Sequence, residues 1–106
     1  MSYRYMRVIA FFDLPVDTSA HRREYSRFRK YLIKNGFVMM QQSVYVKLAI
    51  NQNAAKSICD AVRKNKPSAG IVQLLTITEK QFQKMEFLCG EFTEDVVMSD
   101  ERLIVL

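Results

Sequence analysis

The pattern of apolar and polar positions predicts short strands and amphipathic helices that follow one another along the chain. In residues 3–12 both alternating faces are largely apolar, which predicts a central strand covered on both sides. Pro15 ends this strand, because proline has no N–H to donate to a sheet ladder. Asp17, Thr18 and Ser19 follow and supply candidate caps for a helix.

The first helix is predicted to run to about Asn35, with Gly36 as its left-handed stop. Its apolar stripe carries Tyr25, Phe28 and Leu32 at helical spacing, so this side is expected to pack against the rest of the protein. The opposite side is a row of cations made of Arg23, Arg27, Lys30 and Lys34, flanked by Arg22 and Arg29.

Residues 37–50 are too long and too rich in β-branched side chains for a loop, and they predict two strand segments. The polar residues 41–43 interrupt the alternation, which indicates a bend, a bulge or a hairpin at that point. A second helix is predicted from Ala54 to about Asn65, with an asparagine at position 51 or 53 as its cap. Its apolar side is expected to carry Ile58, Cys59, Ala61 and Val62.

The C-terminal third predicts a strand, a short helix and a terminal strand. Residues 71–78 are the first of these, and Thr78 with Gln81 forms a T-x-x-Q capping box for a short helix that extends to Met85. The chain ends in the apolar segment RLIVL, residues 102–106. A free sheet edge of that composition would invite aggregation, so we expect another subunit to cover it.

This order of elements predicts an α+β protein with a ferredoxin-like βαββαβ domain and a C-terminal extension strand. With 106 residues and 49% hydrophobic side chains, the chain is long enough for one core and too short for two ordinary domains. We therefore predict one domain over residues 1–106.

Charge and composition narrow the class of partner. The chain has 16 Lys and Arg against 11 Asp and Glu, a net charge of +5 and a pI near 9.4, which suits a polyanion such as nucleic acid. Cys59 and Cys89 lack CxxC spacing and His21 is the sole histidine, which argues against a zinc site. We expect both cysteines to be buried as small hydrophobic side chains. The chain has no signal-peptide pattern and no membrane-spanning run of about 18 apolar residues. We therefore expect a cytoplasmic protein.

Asp13 is the first candidate functional residue. It follows the apolar run of the first strand and shares the parity of Ile9 and Phe11. A structural interpretation makes it a cap, a role that Asp17 and Thr18 can fill instead. A functional interpretation makes it an oxygen ligand for Mg²⁺ or Mn²⁺, because magnesium takes one or two carboxylates together with water and substrate phosphates. A two-fold dimer would bring a second Asp13 toward the first if the symmetry axis passes close by.

The row of cations is the second candidate, a nucleic-acid contact. Glu24 is the one acid within the first helix, so neighbouring like charges repel unless anions approach. Such a row is either a solvated surface or a phosphate-binding one. Binding to phosphates would be independent of base sequence and sensitive to salt. The candidate contacts are Arg22, Arg23, Arg27, Lys30 and Lys34.

Three motifs make the chain similar to a known family. The first strand ends in FFDLP, the Arg/Lys-rich helix ends in LIKNGF, and QQSVYVKL follows. Together these segments resemble CRISPR-associated protein 2, the small subunit of the spacer-acquisition complex. The start MSYRYMR, with LLTITEKQF and SDERLIVL, is similar to members from type II-A systems.

The resemblance implies a ferredoxin-like homodimer in which residues from about 91 to 106 pack on the partner subunit. It implies that the integrase subunit, CRISPR-associated protein 1, flanks this dimer, and that the dimer is a spacer for captured double-stranded DNA. It also implies metal-dependent endonuclease activity in some members, on RNA or double-stranded DNA, with Asp13 here as the Mg²⁺ ligand. A stand-alone endoribonuclease, a toxin-type ribonuclease or an RNA-binding module on the same fold stays open as an alternative.

Overall fold

The computed structural model of the protein describes residues 4–90. They form a four-stranded antiparallel sheet, in the order β2-β3-β1-β4, and three helices. The elements are β1 (Met6–Asp13), α1 (Ser19–Lys34), β2 (Val38–Gln41), β3 (Val44–Ala49), α2 (Gln52–Lys64), β4 (Ile71–Thr78) and α3 (Glu79–Gln83). This βαββαβ order in an antiparallel sheet confirms the ferredoxin-like α+β fold. The predicted C-terminal strand and the packing of residues 91–106 lie outside the described residues.

Strand β1 lies in the interior of the sheet, as its two apolar faces predict. It pairs with β3 on one edge and with β4 on the other. It runs from Met6 to Asp13, which pairs with Ile71, while residue 3, the predicted start, lies outside the described residues. The N–H of Glu79 donates a hydrogen bond to the carbonyl of Tyr5 at 2.9 Å, which continues the pairing with β4 one residue beyond Met6.

Helix α1 has the ends that the sequence predicts. The side-chain oxygen of Thr18 accepts a hydrogen bond from the N–H of His21 at 3.0 Å and caps the first turn. Asn35 is the C-cap, and Gly36 follows with a φ of +92°. This left-handed conformation is one that glycine adopts without the steric cost of a Cβ atom.

The main core lies between the sheet and helices α1 and α2. Its aromatic centre is Phe12, whose ring centroid lies 5.3 Å from that of Phe28, edge-on, and 5.5 Å from that of Tyr45, stacked. Tyr25 approaches Phe12 at 6.0 Å, and Leu32 is fully buried. Aromatic pairs of this geometry add about 0.5–1.5 kcal/mol beyond the burial of their area. The predicted apolar stripe of α1 is therefore confirmed.

The segment from residue 37 to residue 50 is a hairpin. Strands β2 and β3 are joined by a two-residue turn of Gln42 and Ser43. Ser43 has a φ of +66°, a region that side chains other than glycine rarely adopt. The register of the ladder also shifts between Met39 and Gln41. The polar residues 41–43 thus mark both the turn of the hairpin and an irregularity in the pairing of its strands.

Helix α2 begins two residues earlier than predicted. The side chain of Asn51 accepts a hydrogen bond from the N–H of Ala54 at 2.7 Å, so Gln52 is the first helical residue. The prediction for Ala61 is wrong, because this residue lies on the far side of the helix and is exposed. The buried side chains of α2 are Ala55, Cys59 and Val62.

Within residues 4–90 no helix combines the length and the apolar character needed to cross a membrane.

Helix α3 is shorter than predicted. Its capping box is present, with hydrogen bonds in both directions between Thr78 and Gln81. The helix ends at Gln83, before Met85. The prediction that Cys89 is buried is wrong, because every residue from 84 to 90 is exposed and no core reaches this segment.

A smaller apolar cluster covers part of the side of the sheet opposite α1 and α2, which we call the open face. Ile9 and Val46 are buried there against Phe82 of α3. The guanidinium of Arg7 lies 4.4 Å from the centroid of the Phe82 ring and donates two hydrogen bonds to the carboxylate of Glu79. The side chains of this ion pair are only 11% and 15% exposed. The pair therefore attaches α3 to β1.

We expect Glu79→Gln to lower the free energy of unfolding by about 1 kcal/mol at neutral pH, because Arg7 loses a charged acceptor. The hydrogen bond from Arg7 lowers the pKa of Glu79 below its usual value. The stabilisation is therefore complete above the usual pKa of a glutamate and is lost as the pH falls through the lowered one. Urea unfolding of both proteins at neutral pH and in acid measures the effect.

Glu86→Gln is the matched control, because Glu86 is exposed and loses the same charge. This variant should change stability little. A difference between wild type and Glu79→Gln that is equally large at both pH values would contradict the role of the carboxylate.

Candidate functional site

The predicted row of cations lies on the outward side of α1. Arg23, Arg27, Lys30 and Lys34 follow one another at intervals of four, three and four residues, so they share one stripe of the helix. We call these four residues the cationic stripe. All four are exposed, and so is the neighbouring Arg22. A shallow depression on this side is lined by Ser19, Arg22, Arg23, Ser26, Arg27 and Lys30.

The predicted contacts differ in how far the protein itself uses them. Among residues 4–90, the side chains of Arg23, Lys30 and Lys34 form no ion pair. Arg22 donates a hydrogen bond to the carbonyl of Val16 at 3.0 Å, which fastens the loop before α1 to the helix. A ligand can therefore bind Arg23, Lys30 and Lys34 without breaking an ion pair.

Arg27 is held by several groups. Its Nε and Nη2 atoms donate to the two carboxylate oxygens of Glu24 at 3.3 and 3.2 Å. Its Nη2 also donates to the carbonyls of Asn65 and Lys66 at 3.1 and 3.3 Å. The hydrogen bond from Arg27 lowers the pKa of Glu24 below its usual value. Arg27 therefore connects α1 to the turn after α2, a role that the sequence did not indicate.

Arg29, which flanks the row in the sequence, serves the core instead. Its guanidinium lies near the phenol of Tyr45, a side chain that is almost completely buried. Burial raises the pKa of Tyr45 above its usual value, and the nearby Arg29 partly offsets this. A buried phenol needs such a partner, since an unsatisfied hydroxyl costs free energy.

Asp13 is exposed at the end of β1. By register it lies on the open face together with Ile9 and Phe11, as its parity predicts. The N–H of Phe12 donates to the carbonyl of Ser43 at 3.0 Å, so the β2–β3 turn lies beside the end of the strand. The structure therefore brings the polar turn of residues 41–43 next to Asp13.

One chain supplies one carboxylate at this position. No group of three or more His, Cys, Asp or Glu side chains within residues 4–90 is arranged to hold a metal ion. Asp17, in the loop that follows β1, accepts a hydrogen bond from Nδ1 of His21 at 2.7 Å, which lowers the pKa of Asp17. Asp13 thus fits Mg²⁺ only where water, substrate phosphates or a second Asp13 complete the coordination shell. Its role as a metal ligand stays a prediction.

Two exposed cations near α1 were not predicted. Lys64 is the last residue of α2, and Lys66 follows in the turn that Arg27 contacts. The sequence carries one signal, since lysines at the end of a helix complement its dipole. That signal does not reveal that the end of α2 lies against α1.

The fold and this surface together define a class of protein. It is a small ferredoxin-like protein with an exposed row of cations on its first helix and an exposed carboxylate at the end of its central strand. Residues 6–85 match the family model described as CRISPR associated protein Cas2. The chain belongs to this family, which confirms the resemblance drawn from its motifs.

Curated relatives cover nearly the whole chain. A protein of Treponema denticola named CRISPR-associated endoribonuclease Cas2 is 55% identical over 101 residues, which is 95% of this chain and 100% of the relative. Relatives of the same name from Ligilactobacillus salivarius and Streptococcus mutans are 46% and 45% identical, again over 95% of this chain and over 100% and 93% of their own lengths. The assignment to type II-A stays a prediction.

Gly70 holds the start of β4 against the end of β1. It has a φ of +91°, and a Cβ atom here would lie 2.7 Å from the carbonyl oxygen of Asp13 and 2.8 Å from Cδ2 of Leu14. Both distances are shorter than real Cβ contacts, so the backbone of Asp13 would have to move. The position of the candidate metal ligand therefore depends on this glycine.

We expect Gly70→Ala to lower the free energy of unfolding by about 2 kcal/mol, through strain at positive φ and overpacking against Asp13. Chemical denaturation measures this loss. Gly90→Ala is the matched control, because Gly90 has a φ of +80° but no atom within 4 Å of an added Cβ. Equal losses in the two variants would contradict the contact with Asp13.

Proposed function

We propose that this protein is a dimeric DNA-binding scaffold of the CRISPR adaptation machinery. In this proposal the dimer holds captured double-stranded DNA and the flanking integrase subunits, CRISPR-associated protein 1, at a set separation, and the integrase supplies the chemistry. Membership of the Cas2 family supports the biological setting. The observation that carries the proposal is the cationic stripe, in which Arg23, Lys30 and Lys34 are exposed and form no ion pair within residues 4–90.

The dimensions of the stripe suit a phosphate backbone. Arg23 and Lys34 are 11 residues apart, which corresponds to about 16 Å along a helix. Measured along the axis of a duplex, this length corresponds to about five steps of one strand at 3.4 Å each. Contacts to phosphates carry no sequence information. A scaffold that captures DNA of arbitrary sequence requires contacts of this kind.

Two features of the sheet support a dimer. Strand β4 forms one edge of the sheet, and its outer side has no partner strand within residues 4–90. On the open face Ile71, Leu75 and Leu48 are 58%, 47% and 43% exposed. A second copy would cover these apolar side chains, and the apolar residues 102–106 of each chain suit the β4 edge of the other.

We expect Asp13→Ala to leave the acquisition of new spacers in cells comparable to wild type, because the scaffold uses its cations and its shape. Amplification of the repeat array from cells that also carry the integrase measures acquisition. The comparison variant is the double substitution Arg23→Ala and Lys30→Ala, which should reduce acquisition.

Two outcomes would reject the scaffold. One is loss of acquisition in the Asp13→Ala protein while it still co-purifies with the integrase subunit. The other is a solution mass equal to a single chain of 12.4 kDa, together with no affinity for duplex DNA or for the integrase.

A second candidate function is a metal-dependent endoribonuclease or endonuclease, favoured by the name endoribonuclease that the curated relatives carry. Asp13 from each of two chains would hold the ion, since the open face that carries Asp13 is the side proposed to meet the partner. A bound Mg²⁺ would stabilise charge on the scissile phosphate and activate a water molecule. Asp13 would bind and orient this ion, and the β2–β3 turn would line the same end of the sheet.

For this candidate we expect a chelator and Asp13→Asn to abolish cleavage alike, because each removes the ion. Labelled RNA and duplex DNA are the substrates, with cleavage followed on denaturing gels. Asp17→Asn is the matched control, since Asp17 is also exposed and already bound to His21. Cleavage that survives both chelation and Asp13→Asn would come from a contaminant and would remove this candidate.

A further inference from the structure

The Glu24–Arg27 pair of α1 holds the turn that follows α2, residues 65–70. Arg27 donates to two consecutive carbonyls of this turn, those of Asn65 and Lys66. Glu24 holds the same guanidinium through both of its carboxylate oxygens. The pair thus holds two consecutive carbonyls of the turn against α1.

This contact places the cations at the end of α2 beside the cationic stripe. The carbonyl of Lys66 lies 3.3 Å from Arg27 Nη2, so the backbone of Lys66 touches the centre of the stripe. Arg23 and Lys30 lie about one helical turn on either side of Arg27. Lys64 is two residues before Lys66, and both lysine side chains are exposed.

The charges in this region do not balance. Each of the two helices contains one acid, Glu24 in α1 and Asp60 in α2. Both acids are already paired with arginines of their own helix, Arg27 and Arg63. The lysines of the two elements are left without a counter-charge among the described residues, and a polyanion would relieve their mutual repulsion.

We propose that the phosphate-binding surface extends from the cationic stripe of α1 across the turn to Lys64 and Lys66, and that the Glu24–Arg27 pair sets the spacing between the two groups. The proposal rests on the proposed function, because it assigns further contacts to the same DNA. In it, Arg27 is a positioning residue that acts through the turn, while Lys64 and Lys66 contact phosphates directly.

The partner that fits this surface is double-stranded nucleic acid. Proteins that hold single strands combine a cationic groove with aromatic side chains on which bases stack. The aromatic residues of α1 are Tyr25, Phe28 and Tyr31, and all three pack against or within the main core. Neither Lys64 nor Lys66 has an aromatic neighbour in the sequence. The cations of α1 and of the end of α2 instead form a broad strip that suits the phosphate backbone of a duplex.

The test is the salt dependence of binding to a labelled duplex of mixed sequence, followed by fluorescence anisotropy. The double substitution Lys64→Ala and Lys66→Ala should reduce the slope of log K against log salt by about 2, because each phosphate contact contributes about 0.9. The affinity ratio of wild type to variant should therefore shrink about tenfold between roughly 50 and 200 mM salt. Lys56→Ala with Lys80→Ala removes the same charge elsewhere and should leave the slope unchanged.

The positioning role of Arg27 has its own readout. Arg27→Lys keeps the charge but cannot donate to Glu24 and the two carbonyls together, because lysine lacks the guanidinium fork. In the Arg27→Lys protein, substitution of Lys64 and Lys66 should no longer change the slope. A purely structural Arg27 would lower the thermal unfolding midpoint and leave the effect of the two lysines intact, which would overturn this role.

Two further outcomes separate this proposal from the proposed function. In the first, the wild type binds the duplex and the double substitution Arg23→Ala and Lys30→Ala reduces the slope of log K against log salt, but substitution of Lys64 and Lys66 leaves this slope unchanged. That result would overturn the extension alone. The second is a wild-type protein with no affinity for the duplex, which would overturn both. Thermal unfolding of each variant shows that it is folded.

Discussion

Strand β1 has a neighbouring strand on each edge and apolar side chains on each face, so it is stable only with a layer of structure on both sides. On one face Phe12 packs against Phe28 of α1. On the other, Ile9 packs against Phe82 of α3, and Arg7 binds Glu79. These contacts decide the orientation of both helices. The outward direction of the cations on α1 is therefore a consequence of how its opposite side is buried.

The cationic surface is assembled from residues with unequal duties. Arg27 and Arg29 are committed to groups of the protein itself, Arg27 to the turn after α2 and Arg29 to the buried phenol of Tyr45. Arginine suits both tasks because its planar group donates several hydrogen bonds at once. Arg23, Lys30 and Lys34 carry no such duty within residues 4–90. Only the folded protein therefore shows which cations of the row bind groups of the protein itself and which can bind a ligand.

The same strand that organises the core also presents Asp13 at its end. Gly70 allows the start of β4 to approach the carbonyl of Asp13, and the β2–β3 turn lies on the other side of β1. A single carboxylate held in this way is a weak metal site by itself, because Mg²⁺ needs further oxygen ligands. Chemistry at Asp13 therefore depends on what a partner or a phosphate adds, whereas phosphate contacts by α1 require nothing more than the fold.

The sequence by itself determined the order of elements, the capping box of α3 and the burial of Phe28 and Leu32, and it narrowed the caps of α1 and α2 to groups that include Thr18 and Asn51. These features depend on local hydrogen bonds and on hydrophobic periodicity, which neighbouring residues specify. Short sequence segments also contained the motifs by which the chain resembles the Cas2 family. It placed Asp13 at the end of the first strand and the cations on one side of the first helix.

Only the tertiary structure decided which cations are free and what lies next to them. The contacts of Arg27 with Asn65 and Lys66 join residues 38 and 39 positions apart in the chain, and no local pattern encodes such a distance. The exposure of Ala61 and Cys89 and the early end of α3 were also beyond the local pattern. The physical reason is that burial and pairing depend on which surfaces meet. Periodicity specifies the apolar side of each element but not the element that covers it.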